Sequence, residues 1–333
     1  MILVITNKSD IHCNPVIKHF YDNGDDFFRL NTDSLLDDYD ISFWVKENIP
    51  ELKIINKFNG KYLVSSSVTS VWERRPISPE ITKFVDPMVK VVLNEEAAEF
   101  SKWLRYFFIN SRNLGSSVWD RPNESKLRQL EVAGRIIKEQ KLSIRIPETL
   151  ISNIKSEILK LTKNYKSIVV KPIGADSIEL DEKLEMPFVS RKVSSDQFDN
   201  ICEKETQLCP TFLQNYVDKE YELRITVVGS KFFCCKIDSQ KLPEGSGKED
   251  WREGYDHGLS QSWISMPDEL IKFCGSYLNS INSTFGCFDF IYDIYGEYHF
   301  LECNPNGQWM WMEEDIGIPI SEGIANYLTF RAN

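Results

Sequence analysis

The stretch Cys287-Phe288-Asp289-Phe290-Ile291-Tyr292-Asp293-Ile294-Tyr295-Gly296-Glu297-Tyr298-His299-Phe300-Leu301-Glu302-Cys303-Asn304-Pro305-Asn306 reads as two strands around a turn at Tyr295-Gly296. A two-residue loop pairs Ile294 with Glu297, and counting back along both strands sets Asp289 opposite Glu302. A four-residue loop closed by Asp293 and Tyr298 gives the same register. Side chains alternate with period 2, so Glu302 and Asn304 share a face and Asp289 joins them. Two carboxylates placed opposite one another repel. A divalent cation removes the conflict, and an oxygen-only set of Asp, Glu and an amide carbonyl suits Mg²⁺ or Mn²⁺ rather than zinc. The competing reading is a solvent-facing edge of charged residues, for which Phe288, Phe290, Phe300 and Leu301 are too apolar. Pro305-Asn306-Gly307-Gln308-Trp309 turns directly after Asn304 and keeps the ligand end of the strand at a loop mouth. Trp309, Met310, Trp311 and Met312 read as core filling.

Three cationic residues stand out upstream. Lys171 ends the apolar run Ile168-Val169-Val170, where an ammonium is costly unless its charge is paired. A nucleotide phosphate and a nearby carboxylate are both open as that partner. Lys126 falls in the first turn of a helix, the end where the dipole disfavours a cation. Arg224 shares a strand face with Glu222; it either clamps a phosphate or carboxylate or pairs with Glu222 at the surface. Gly174-Ala175-Asp176-Ser177 is a candidate phosphate-covering loop, although it matches neither the Walker A nor the Rossmann fingerprint.

Around these motifs the first third alternates strands and helices. Ile2–Ile5, Phe27–Asn31, Ile41–Val45 and Ser70–Glu73 are β-rich runs, and Phe100, Trp103, Leu104, Phe107 and Phe108 recur with helical period. A break at Asn113–Ser117, with Pro122 after it, leads to a helix N-capped by Asn123 and continuing through Leu127, Leu130, Ala133 and Ile137. A helix near Lys155–Lys163, a strand Ser167–Pro172, a strand Phe188–Val193 and a helix Asp196–Lys204 follow. Phe212–Val217, Glu222–Val228 and Lys231–Asp238 read as strands, the last two joined at Gly229-Ser230. After a polar loop, Pro267 opens a helix carrying Leu270, Phe273, Cys274, Tyr277, Leu278 and Ile281 on one face.

The 333 residues carry a formal charge of −11. That balance argues against non-specific binding to nucleic acid or anionic membranes, which need Lys and Arg. A hydrophobic content of 42% over this length supplies more than one core. The eight cysteines show no CxxC or metal-ligand spacing, and Cys234, Cys235 and Cys287 lie in apolar runs as small hydrophobes. Ile2-Leu3-Val4-Ile5 is too short for a signal sequence, and no apolar run approaches the ~20 residues of a membrane span. A cytoplasmic protein with reduced thiols is expected.

Taken together, the pieces resemble the ATP-grasp superfamily. The shared features are Lys126 before an apolar helix, Val170-Lys171-Pro172, Gln214-Asn215-Tyr216-Val217, Glu222-Leu223-Arg224, and Phe288-Asp289-Phe290 leading to Phe300-Leu301-Glu302-Cys303-Asn304-Pro305. A closer resemblance is to the graspetide (microviridin-type) peptide maturases. It rests on Met1–Thr6, Phe28–Asp33, Val71-Trp72-Glu73-Arg74-Arg75-Pro76, Asn110-Ser111-Arg112, Ile237-Asp238-Ser239-Gln240, Asp250-Trp251-Arg252 and Leu301–Trp309, and so covers nearly the whole chain.

The resemblance implies an α/β ATP-grasp fold with an N-terminal pre-grasp domain (1–120), a central subdomain (121–210) and a C-terminal grasp subdomain (211–333). It implies that Lys126 and Lys171 contact ATP phosphates. The backbone of Gln214, Asn215, Tyr216 and Val217 would read adenine, and Glu220, or Asp218, the ribose. Asp289, Glu302 and Asn304 would hold one or two Mg²⁺ ions, with Mn²⁺ as a substitute. Arg224, with Lys171, would stabilise the transferring phosphoryl group. A glycine-poor segment after Lys171 departs from the family pattern.

The implied activity is phosphorylation of Asp or Glu side chains in a ribosomally made precursor peptide that has a leader and an acidic, Thr-rich core. The acyl phosphates then close ester or amide crosslinks. Arg191 and Arg252 are candidate receivers of core carboxylates, because guanidinium groups bind carboxylates bidentately. Asp238 is a candidate base, or a structural strand-end residue. A homodimer is implied. The competing hypotheses are a small-molecule ATP-grasp ligase that adds an amino acid to a free carboxylate, and a nucleotide-binding module without turnover.

Overall fold

The computed structural model describes residues 1–82, 86–108, 110–115, 121–174, 177–181, 184–187 and 190–331. The first elements are β1 (Ile2–Thr6), α1 (Cys13–Asp22), β2 (Phe27–Asn31), α2 (Leu35–Asp38), β3 (Tyr39–Lys46), β4 (Ile49–Asn56), β5 (Tyr62–Val64), β6 (Ser70–Glu73), α3 (Pro87–Phe107) and β7 (Arg112–Leu114). Strands β2-β1-β6-β7 form a parallel sheet in that order. All five residues of β1 are buried, as a parallel strand covered on both faces requires. Leu3 and Ile5 pack with Leu104 and Phe108 and with the antiparallel sheet β3-β4-β5, whereas Ile2 and Val4 pack toward α1. The β3–β4 turn is a two-residue one at Glu47 and Asn48, both with positive φ (53° and 66°), and its Asn is a residue that tolerates that geometry.

The middle of the chain holds α4 (Arg121–Glu124), α5 (Lys126–Gln140), β8 (Thr149–Ser152), α6 (Lys155–Thr162), β9 (Ser167–Lys171), β10 (Ser177–Asp181), β11 (Leu184–Pro187), β12 (Arg191–Ser194), α7 (Glu203–Thr206) and β13 (Thr211–Asn215). Strands β12-β9-β13-β8 make an antiparallel sheet whose apolar face packs Ile168 and Leu213 on Ile158 and Leu161 of α6. The cap of α5 is Ser125, whose hydroxyl accepts from Arg128 N; Asn123 belongs instead to the short turn of α4. The segment read as one helix over 196–204 is a 3₁₀ turn (Ser195–Phe198) and the single turn of α7. Of the strand read over 188–193, residues 188 and 189 lie outside the described residues, and β12 starts at Arg191. Ala175 and Asp176 of the candidate phosphate loop lie outside them too.

The last third holds β14 (Lys219–Val228), β15 (Lys231–Ile237), β16 (Gln261–Ile264), α8 (Asp268–Ser280), β17 (Phe285–Asp293), β18 (Tyr298–Asn304), α9 (Met310–Ile316) and α10 (Ile320–Thr329). The antiparallel sheet β16-β15-β14-β17-β18 buries Leu223, Ile225, Phe288, Phe290 and Phe300 against α5 and α8. Cys235, Ile237 and Cys287, on its other face, join Trp309, Met312 and Ile324. That second cluster also contains Val4, Phe20 and Trp72, so the first strand and the last helix share one core. Ser70 Oγ donates to Leu328 O at 2.8 Å across the same seam.

The helical stripe expected in α3 is narrower than its apolar residues suggest: Leu104 is buried, while Trp103 is 60% exposed. Among the described residues no helix is long and apolar enough to cross a membrane. Because Ile324 fills the core that joins both ends of the chain, Ile324→Ala should cost about 2–5 kcal/mol of stability by urea unfolding. A loss well under about 1 kcal/mol would show that the two ends do not depend on a common core.

Candidate active site

The hairpin β17–β18 delivers the expected pairing by an unexpected route. Near the turn the register is one residue off the two-residue-loop count: Asp293 N bonds Glu297 O, and Tyr292 lies opposite Tyr298. A bulge at Leu301 then restores Asp289 opposite Glu302. The bulge has a packing cause. It lets Phe300 pair with Phe290 on the α8 face, and still turns Glu302 to the opposite face, where Cys287 and Asp289 point. A regular ladder would put Phe300 and Glu302 on the same side.

On that face Arg224 lies opposite Asp289 in the next strand, with Nη1 2.7 Å from Oδ2; its Nη2 donates to Gln308 O at 3.1 Å. Arg224 therefore does not pair with Glu222, as one sequence reading had it. Glu222 is buried and takes Lys219 Nζ at 2.8 Å. Gly307 makes the approach of the Pro305–Trp309 loop achievable, since a Cβ there would lie 2.4 Å from Cys287 Cβ and 2.9 Å from Arg224 Nη2. Burial raises the Asp289 carboxyl pKa, with Arg224 opposing. Burial also opposes ionisation of Glu302, but the surrounding cations, Lys126 and Lys171 first, together outweigh it and hold that carboxyl below the usual range.

Lys126, the first residue of α5, donates to Pro172 O at 3.1 Å and has its Nζ 3.9 Å from Glu302 Oε2. Lys171, at the end of β9, lies opposite Phe212, and both lysine ammonium groups sit 5.9 Å from the Phe212 ring centroid. Burial pushes the Lys171 pKa down to about 8, with Glu302 pulling it back. Arg252 stands in the 3₁₀ turn Trp251–His257, capped by Asp250, and its charge acts on Asp289, Glu302 and Lys171. Four cations thus surround two carboxylates in a chain whose net charge is −11. The excess positive charge suits a polyphosphate, and the register puts Asp289, Glu302 and the exposed Asn304 on one face, an oxygen-only set of the kind that suits a hard divalent cation.

The other candidates fall as follows. The strand β13 stops at Asn215, leaving Tyr216 and Val217 outside it. Tyr216 N bonds Ser167 O, while Val217 N has no hydrogen-bond partner among the described residues. Asp218 and Glu220 are exposed beside this segment. Asp238 is held by Lys236 (3.0 Å) and Lys241 (2.8 Å), and these lysines, working against burial, keep its carboxyl pKa low. Arg191 is not brought to the cluster: it lies opposite Val170, on the α6 face, whereas its neighbour Lys192 lies opposite Val169 on the face of Lys171. Lys192 Nζ stands 3.7 Å from the Tyr216 ring centroid; as one lysine of an exposed strand it gave no signal in the sequence.

A second acidic group, Asp293, Glu297 and His299, has potential ligand atoms within 4.8 Å of one another at the far end of the hairpin. Hydrogen bonds inside the turn account for it. Asp293 accepts from Tyr295 N, Glu297 N and His299 Nε2, and Glu297 pairs with Arg145.

The depressed Lys171 has a signed consequence. Below about pH 8 the native state carries a partly desolvated ammonium that the unfolded chain holds freely in water. Stability should rise with pH between about 8 and the ordinary lysine value of 10.5, where the unfolded chain binds the extra proton. Lys171→Met should therefore raise Tm at pH 7 without nucleotide, with the gain shrinking by pH 10, and should weaken ATP binding. A variant less stable at pH 7 yet unaltered in ATP affinity would mean that Lys171 serves only as a partner for Glu302.

Comparison with known proteins follows the same lines. Residues 1–111 match the family described as the MvdD pre-ATP grasp domain. Comparison with the curated proteins gives no match. Among solved structures, the RiPP-associated ATP-grasp ligase of Chryseobacterium gregarium, in complex with ADP and a leader and core peptide, superposes with a TM-score of 0.87. It is 24% identical, over 100% of this chain and 97% of that one. The macrocyclase MdnC of Microcystis aeruginosa MRC, bound with precursor peptide MdnA, gives 0.81 at 25% identity over 100% of both chains. The ligase PsnB, complexed with a phosphomimetic variant of a minimal precursor, Mg and ADP, gives 0.73 at 14% identity over 99% of this chain and 98% of that one. The chain thus has the fold of these ATP-grasp ligases along its whole length, and its residues 1–111 are similar to the MvdD pre-ATP grasp domain.

Proposed function

We propose that the chain is an ATP-dependent ligase that phosphorylates Asp or Glu side chains of a ribosomally made precursor peptide and closes side-chain ester or amide crosslinks. The observation that carries this reading is the gathering of Lys126, Lys171, Arg224 and Arg252 around Asp289 and Glu302. The similar ligases held with ADP and precursor peptides support the substrate class. The same reading divides the chain into pre-grasp (1–120), central (121–210) and C-terminal grasp (211–333) units, with α5 of the middle unit packed on the last unit's sheet. It also takes the protein as a cytoplasmic homodimer, a state in keeping with eight free cysteines.

In this reading Lys126 and Lys171 receive the phosphates. The backbone from Gln214 to Val217 receives adenine, with the unpaired Val217 N–H as a donor, and the exposed Glu220 receives the ribose. One or two Mg²⁺ ions, or Mn²⁺, held by Asp289, Glu302 and Asn304, would supply Lewis-acid neutralisation of phosphate charge. A peptide carboxylate oxygen bonds to the γ-phosphorus as the bond to ADP breaks. Arg224, fixed by Asp289, stands where charge develops on the transferring group. A Thr or Ser hydroxyl or a Lys amine then bonds to the acyl carbon, loses its proton, and phosphate leaves. Arg252, largely exposed and beside Trp251, is placed to receive the acidic core. Asp238, locked between two lysines, is read as a strand-end brace and not as the base.

Intact mass spectrometry of an acidic, Thr-rich peptide incubated with enzyme, ATP and Mg²⁺ tests the reading: each crosslink should remove one water and release one ADP. ADP release with an unaltered peptide, or with a free amino acid joined to a small carboxylate, would overturn it. Glu302→Gln should keep the fold and Tm near wild type but abolish crosslinking, because it removes charge and little volume. Crosslinking at an undiminished rate in that variant would remove Glu302 from the site.

A further inference from the structure

Arg74 follows directly on β6, and its N–H continues the ladder to Ile5 O. Its side chain is 1% exposed, yet among the described residues no carboxylate lies within ion-pair distance of it. Asp10 acts on it only from beyond ion-pair distance, and burying a cation so weakly compensated is expensive, so the contacts it does make carry weight. Nε and Nη2 have no partner among the described residues. Nη1 alone is engaged, and it reaches across to the loop after β18, where it donates to Asn306 O and, at 3.2 Å, to Asn306 Oδ1. The N–H of Asn306 in turn donates to Asn304 Oδ1 at 2.9 Å. Arg224 also holds this loop, through Gln308 O.

We infer that Arg74 is a positioning residue for the metal-binding end of β18. It fixes Asn306, and Asn306 fixes the side-chain oxygen that Asn304 presents to Mg²⁺. The pre-grasp unit then sets metal affinity from outside the cleft, as hydrogen-bond partners of metal ligands do elsewhere. This rests on the reading of Asn304 as a metal ligand.

The test titrates Mg²⁺ into the full-length protein saturated with ADP, by calorimetry, so that turnover plays no part. Arg74→Gln should raise the Mg²⁺ dissociation constant about tenfold, equivalent to about 1.4 kcal/mol. ADP affinity in EDTA should stay at the wild-type value. Asn304→Ala should raise the same constant, and the double variant should bind Mg²⁺ no more weakly than Asn304→Ala alone, because the two act through one oxygen. An Arg74→Gln variant with lower Tm and unaltered Mg²⁺ affinity would make Arg74 a buried structural arginine, and additive losses in the double variant would equally overturn the inference. An Asn304→Ala variant with unaltered Mg²⁺ affinity would overturn the metal reading beneath it instead. Should Arg74→Gln not fold, Asn306→Ala removes one of the two acceptors from a loop residue. It should weaken Mg²⁺ in the same direction, and no change would refute the link.

Discussion

Arg224 and Asp289 face each other across β14 and β17, on a sheet whose other side is packed with phenylalanine. A pair so placed loses most of its hydration, and its net worth to stability is small. Its importance is conditional. Asp289 is opposite Glu302, and both carboxylates are pressed by burial. The guanidinium is the leading charge that favours ionisation of Asp289, while Lys126 and Lys171 lead for Glu302. Lys126, Lys171 and Arg252 answer the same requirement from neighbouring elements. They belong to α5, β9 and a 3₁₀ turn, so the charge balance exists only when separate parts of the chain are assembled.

The balance is not neutral. Locally the cations outnumber the acids, while the whole chain is strongly acidic. A net-acidic chain repels anions at long range, and a local cluster of cations offsets that repulsion where it stands. Under the proposed function, the same arrangement would let a protein of this composition receive an acidic peptide and a polyphosphate together. Both need the same positive excess.

Much of this was legible in the sequence, because period-2 alternation and a glycine turn leave few registers for β17–β18. The facing of Asp289 and Glu302 was correct, but the counting behind it was not. The longer turn and the bulge at Leu301 offset one another, and only the core demand of Phe300 explains why both occur. The partner of Arg224 was not legible, since pairing along a strand (Glu222) and across strands (Asp289) cannot be told apart before strand order is known. Arg191 was misplaced for a similar reason: one residue of register exchanges it with Lys192. Arg74 was visible only as one letter of a motif. Its role depends on a contact between residues 232 positions apart.

The core that contains Val4, Phe20 and Trp72 also contains Ile324 and Leu328. During synthesis the N-terminal sheet is made well before the residues of α10 that help to cover one of its faces, which follow its last strand by more than two hundred positions. Until α10 leaves the ribosome, Val16, Phe20 and Trp72 form an uncovered apolar wall on an otherwise folded unit. Nascent chains of this kind invite chaperone capture or association with one another. The time that wall stands open during translation is a kinetic burden separate from the stability of the finished fold.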